Sequence, residues 1–110
     1  MEELRQEIEE LIDVLDILSK AIILGITSSK EEYLKKFTGL MLTTFPKIIE
    51  CYTRPEFGEV QSDMQYWINQ LSRLLEVLQQ DDLYKIVDVL NFETKENLTL
   101  FLKMTEEMEG

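Results

Sequence analysis

Histidine is absent from this chain of 110 residues. It is the usual base near neutral pH, the commonest metal ligand and the phosphate acceptor of relay domains, so all three roles are closed. Histidine phosphotransfer, Glu-x-x-His di-iron sites and haem held through histidine go with them. Cysteine occurs once, as Cys51, which rules out an internal disulfide and suits a reducing compartment. Four glycines and two prolines supply little turn chemistry, favouring a few long helices over many short strands. No apolar run approaches the ~20 residues that span a bilayer. The opening Met-Glu-Glu-Leu-Arg-Gln-Glu lacks the basic start and apolar core of a signal peptide. Together these absences predict a cytoplasmic protein. The chain also has no phosphate-binding glycine loop, glycine-framed serine or spaced cysteine cluster. No catalytic, cofactor-binding or metal-binding residue is assigned, and no cofactor is expected.

What the chain has in abundance is acid: 22 Asp and Glu against 11 Lys and Arg, a net charge of −11. Nucleic-acid affinity comes largely from basic side chains replacing condensed counterions, so a DNA or RNA partner is not expected. An anionic membrane surface is disfavoured for the same reason. With 45% hydrophobic residues the chain is globular, because disorder requires low hydrophobicity as well as high charge. Residues 1–110 read as one domain, able to bury roughly 60–70% of its unfolded surface without disulfide or metal.

Leu4, Ile8, Leu11, Leu15, Leu18 and Ile22 recur at spacings of 4, 3, 4, 3 and 4, predicting a helix over 2–24 that Gly25 closes. Ser28 with Glu31 and Ser29 with Glu32 both fit a capping box for a second helix. Glu31–Lys35 and Glu32–Lys36 have the spacing of helical ion pairs. The apolar face of that helix is Tyr33, Phe37, Leu40, Met41, Ile48 and Tyr52, and Pro46 inside it predicts a kink near Thr43, or a split. Thr53–Gly58, around Arg54-Pro55, reads as a loop. A third helix from about Val60 carries Met64, Trp67, Ile68, Leu71, Leu75 and Leu78. Asp81 or Asp82 caps a final helix with Leu83, Ile86, Val87, Leu90, Leu98, Phe101 and Met104. Its stripe passes through Thr94 and Asn97. Either the helix breaks around 91–94 or these two face a buried polar spot, and continuity to about Glu106 is expected, with 105–110 frayed. Short turns make sequential helices antiparallel neighbours, so the expected fold is all-α: a four-helix, mostly antiparallel up-down bundle.

Carboxylates three apart on one helix face, Glu7/Glu10, Asp13/Asp16 and Glu93/Glu96, are the candidates for acid–base work or divalent-ion binding. Their positions on the solvent side predict a wet charged face instead. Cys51, with Lys47 one turn earlier and no histidine, is expected to be an inert, half-buried thiol. One feature goes beyond a simple bundle. Val14, Ile17 and Leu24 fall away from the first helix's stripe, and Val89, Phe92 and Leu100 from the last helix's stripe. Either the bundle wraps these helices on two sides, or they form a second contact surface for a homodimer or partner helix, with Phe92 as its anchor.

The stretch Asp82-Leu-Tyr-Lys-Ile-Val-Asp88-Val-Leu90-Asn-Phe92-Glu93 follows a Trp67-containing helix. Over residues 67–93 the chain resembles a family of small uncharacterised bacterial helical-bundle proteins, which carry an Asp, a second Asp six residues on, then Leu and an aromatic–Glu pair. Phe92 and Thr94 stand where that pattern has Tyr and an apolar residue. The resemblance implies a helical bundle and brings no activity or cofactor. Small acidic export chaperones are similar in size and class, without a shared motif. The expectation is thus a non-catalytic protein-interaction module (adaptor, small chaperone or regulatory subunit) with a protein partner or self-association. The alternative is a carboxylate-based, divalent-metal-dependent enzyme acting on a small or phosphorylated substrate.

Overall fold

A computed structural model of the chain describes residues 1–80 and 82–109, apart from the side chain of Glu109. Among the described residues there is no strand, and the fold is all-α. The elements are α1 (Glu2–Leu24), α2 (Thr27–Cys51), a 3-10 segment (Pro55–Val60), α3 (Asp63–Gln79) and a last helix in three parts. Those parts are α4 (Leu83–Val89), a π-helical stretch (Leu90–Thr94) and α5 (Lys95–Glu109), joined without interruption.

α1 forms where its leucine stripe predicts, and Leu4, Ile8, Leu11, Leu15 and Leu18 are all buried. It closes on Gly25 at φ 70°. The Gly25 N–H bonds to the Ile22 carbonyl at 3.2 Å and the Ile26 N–H to the Ala21 carbonyl at 3.0 Å, the paired bonds of a Schellman turn. With so short a turn, α2 runs back along α1. Lys47 Nζ meets Glu7 Oε1 at 2.7 Å, fixing the end of α2 beside the start of α1.

α2 departs from expectation at its start. It begins at Thr27, with Ile26 in the N-cap position and no side-chain cap, so neither capping box forms. The chain enters the helix two residues too early for Ser28 or Ser29 to occupy the cap. Pro46 does not split the helix, which runs unbroken from Thr27 to Cys51. Proline deprives the Leu42 carbonyl of its donor, but Leu42 and Pro46 are both exposed, where water satisfies the freed oxygen. The expected loop at 53–58 holds a 3-10 turn: Arg54 is extended, as a residue before proline must be, and Phe57 is driven into the core. Ile68 lies on the exposed side of α3, whose buried residues are Trp67, Leu74 and Val77.

The last helix explains its own irregularity. Asp82 caps it, its carboxylate accepting from the Lys85 N–H at 3.1 Å; Asp81 lies outside the described residues. Ile86, Leu90, Thr94 and Leu98 are all buried, three successive steps of four residues. On an α-helix each such step drifts by about 40°, so Leu98 would stand about 120° from Ile86. The i→i+5 turn at 90–94 takes up the extra residue and keeps the stripe on the core. Neither a break nor an uninterrupted α-helix satisfies that pattern. The helix continues to Glu109 rather than fraying at Thr105, because Thr105 is itself buried and its hydroxyl donates to the Phe101 carbonyl at 3.0 Å.

Cross-links orient the rest. Lys95 Nζ pairs with Asp16 at 2.9 Å and Ser19 donates to Asn91 at 3.2 Å, so the last helix runs opposite to α1. Arg73 binds Glu93 through Nε at 2.9 Å, and the Tyr66 hydroxyl donates to Asn97 Oδ1 at 3.2 Å, so α3 also runs opposite to the last helix. The molecule is elongated, 44 × 23 × 20 Å. No helix among the described residues is long and apolar enough to cross a membrane.

Candidate functional site

The six residues of the second apolar stripe divide. Val14 and Val89 are buried in the core and are not available to a partner. The reason is that α1 and the last helix are each packed on more than one side, so their buried arcs are wider than one stripe. Ile17, Leu24, Phe92 and Leu100 remain exposed, Phe92 by 71%. The structure does not join these four into one surface. Leu100 lines a cleft between α3 and α5, whereas Leu24 belongs to the opposite end of the bundle.

That end is the more telling. α1 finishes on Ile22-Ile23-Leu24, turns on Gly25 and enters α2 through Ile26. Helix ends and turns ordinarily carry polar residues, and an N-cap oxygen contributes about 0.5–2 kcal/mol over an apolar side chain. Here aliphatic side chains occupy the turn and stay in water, Ile23 at 67% and Leu24 at 70% exposure. The start of the last helix lies beside them. Ile22 and Ile23 meet Leu83, Tyr84, Val87 and Asp88 around a recess of about 230 Å³. Tyr84 stands almost free of the protein, 87% exposed. Sequence reasoning missed Ile23, Ile26, Leu83 and Tyr84 as a group. The legible signal was Ile-Ile-Leu-Gly-Ile at a turn, a run too apolar for a solvated loop.

A second concavity, about 340 Å³, lies between α3 and α5 and is lined by Tyr66, Trp67, Asn97, Leu100, Phe101 and their neighbours. At its base the Trp67 indole N–H donates to the Tyr52 hydroxyl at 2.8 Å. Burial pushes the Tyr52 phenol up to about 12, with Trp67's hydrogen bond opposing and the nearby Asp63 charge adding. Phe45, Phe57 and Phe101 surround this pair edge-on or tilted, and Phe57 and Phe101 stack on each other, with ring centroids 5.2–6.4 Å apart. Asn97 Nδ2 is buried without a hydrogen-bond partner among the described residues. Asn97 and Thr94 therefore do face the interior, as the stripe required.

One carboxylate of each candidate pair serves the fold, while Glu10, Asp13 and Glu96 are exposed. Glu7, Asp16 and Glu93 each bind a base on a neighbouring helix, Lys47, Lys95 and Arg73 respectively. Among the described residues no three of Cys, Asp and Glu converge as metal ligands would. Cys51 is fully buried rather than half-buried, and burial raises its pKa against the lowering effect of Arg54, which keeps the thiol protonated and unreactive.

Compared with known proteins, the chain matches no protein family, no curated protein and no solved structure. The reading of its function therefore rests on these surfaces alone.

Proposed function

We propose that this chain is a four-helix, mostly antiparallel up-down bundle acting in the cytoplasm as a non-catalytic protein-interaction module, an adaptor, small chaperone or regulatory subunit. One observation carries the reading: Ile23 and Tyr84 stand exposed around a mainly apolar recess at one end of the molecule, with exposed Leu24 next to Ile23 in the chain. Large apolar side chains gathered on a surface mark a contact site, whereas scattered ones need no explanation. Burial of that surface drives binding, and the acidic flanks select partners and accelerate encounter with basic ones. The antiparallel contacts of α1 with α2 and of α3 with the last helix support the bundle.

Differential capture tests the assignment. Wild-type protein, an Ile23→Lys/Tyr84→Lys double variant and Phe92→Asp are immobilised and exposed to lysate of the native cell. A docking role at the end predicts proteins held by the wild type and by Phe92→Asp but lost from the double variant. Loss only with Phe92→Asp would move the site to the π-helical stretch, and identical capture by all three would refute the proposal.

A further inference from the structure

We infer that the occupant of the apolar end is a second copy of this chain, docked end to end about a two-fold axis; the inference rests on the docking role just given. Three observations lead there. The patch holds a projection and a hollow side by side: the Tyr84 ring, 87% exposed, and the recess of about 230 Å³ beside it. A two-fold contact uses the same patch twice, so each copy must present both shapes, and here each does. Charge is the second. Within about one helical turn of the patch lie Lys20, Lys30 and Lys85 with Asp82 and Asp88, so both signs are present to pair across an axis.

The third is how the remaining charge is distributed. Divide the molecule across its long axis just before Asp13, at Leu42, in the uncharged stretch 64–72 of α3 and at Thr99, and leave Asp81 and Glu109 aside. The end holding the first turns of α1 carries eleven acids and four bases, while the end holding the patch carries nine acids and seven bases. A chain of net charge −11 ordinarily repels its own copies. Docked through the patch, two copies place their strongly acidic ends at opposite extremes of a rod about twice 44 Å long. That separation far exceeds the roughly 8 Å Debye length at physiological salt. A parallel side-by-side pairing brings the acidic ends together, and an antiparallel one lays each acidic end along the other copy's half, which is also net negative.

Sedimentation equilibrium with small-angle X-ray scattering on the intact chain decides the matter. The expected result is a mass rising with concentration from 13.0 kDa towards twice that value, with a maximum dimension of about twice 44 Å. An interface this small should dissociate in roughly the micromolar range or above. Tyr84→Lys and Ile23→Lys should each weaken it by about thirtyfold or more with helicity unchanged, as loss of a central anchor does. A chain monomeric at millimolar concentration overturns the second-copy inference, and the docking role then stands or falls on the differential capture. A compact dimer near 44 Å in length, or a dimer indifferent to both variants, also overturns it, and indifference removes the patch as a docking surface as well.

Discussion

The two ends of this molecule treat aromatic and aliphatic side chains in opposite ways. Where α2 meets α3 and α5, five rings pack against one another and the polar atoms of Trp67 and Tyr52 satisfy each other in the interior. Where α1 turns into α2, three aliphatic residues and one tyrosine are left in water although polar residues would serve the turn better. The first arrangement is what stability alone produces. The second costs stability, because exposed isoleucine gains nothing from burial and Ile26 supplies no cap oxygen. Natural proteins break local rules of this kind at functional sites and compensate elsewhere. On the function proposed above, the contrast separates the region that holds the fold from the region offered to a partner.

The largest effect that tests the contrast falls on the aromatic end. Trp67 touches Phe45 and Phe101 edge-on and donates to Tyr52, so Trp67→Ala removes packing and leaves a hydroxyl without its donor. Unfolding free energy measured in urea should drop by about 3–5 kcal/mol. The same measurement on Tyr84→Ala should change by less than about 0.5 kcal/mol, since that side chain is outside the core. Equal losses at the two positions would erase the distinction between the ends.

A smaller effect, read through pH, probes the same aromatic pair. Tyr52 titrates at about 12 in the folded chain against 10.0 for the free phenol, mainly because burial disfavours the phenolate. Between these values the folded state holds a proton that the unfolded state has released. Stability is therefore complete below pH 10 and falls as pH rises towards 12. Tyr52→Phe should remove this residue's share of that alkaline slope, while costing roughly 1–3 kcal/mol at neutral pH because the Trp67 N–H loses its acceptor. An alkaline transition identical in the variant would assign the slope to other groups.

How much of this is legible in the sequence depends on which physical signal each part uses. α1 was readable from Glu2 to Leu24, because a regular leucine stripe and a terminal glycine act locally and agree. The π-helical turn was visible only as a conflict, a stripe drifting onto Thr94 and Asn97. Its resolution depended on α1 and α3 fixing which side of the last helix must be inside. Val14 and Val89 were misplaced for the same reason. Amphipathic arithmetic gives the direction of a side chain but not how many neighbours surround its helix. The apolar end went unrecognised because Ile22–Ile26 reads as the apolar close of α1 and Leu83–Tyr84 is unremarkable in sequence, and the two become a surface only when antiparallel packing sets them together. The capping boxes failed from the opposite cause: a correct local signal was overruled when the Schellman turn brought the chain into α2 at Thr27.

The smallest effect carries the sharpest test of why the apolar end is apolar. Ile26 has φ −85° and ψ 91°, the extended conformation of an N-cap residue, and it is about half-exposed. A serine there would place a hydroxyl against the free N–H groups of the first turn of α2, while giving up only partial burial of one aliphatic group. Ile26→Ser should therefore raise stability by about 0.5–1 kcal/mol, seen as a higher melting temperature. If the patch is a contact surface, the same substitution should weaken association, because it removes apolar area beside Ile23 and Leu24. A more stable protein that binds less well is the signature of a residue retained for contact. A less stable one would show that Ile26 is held by its packing, and the apolar turn would then belong to the fold like the aromatic end.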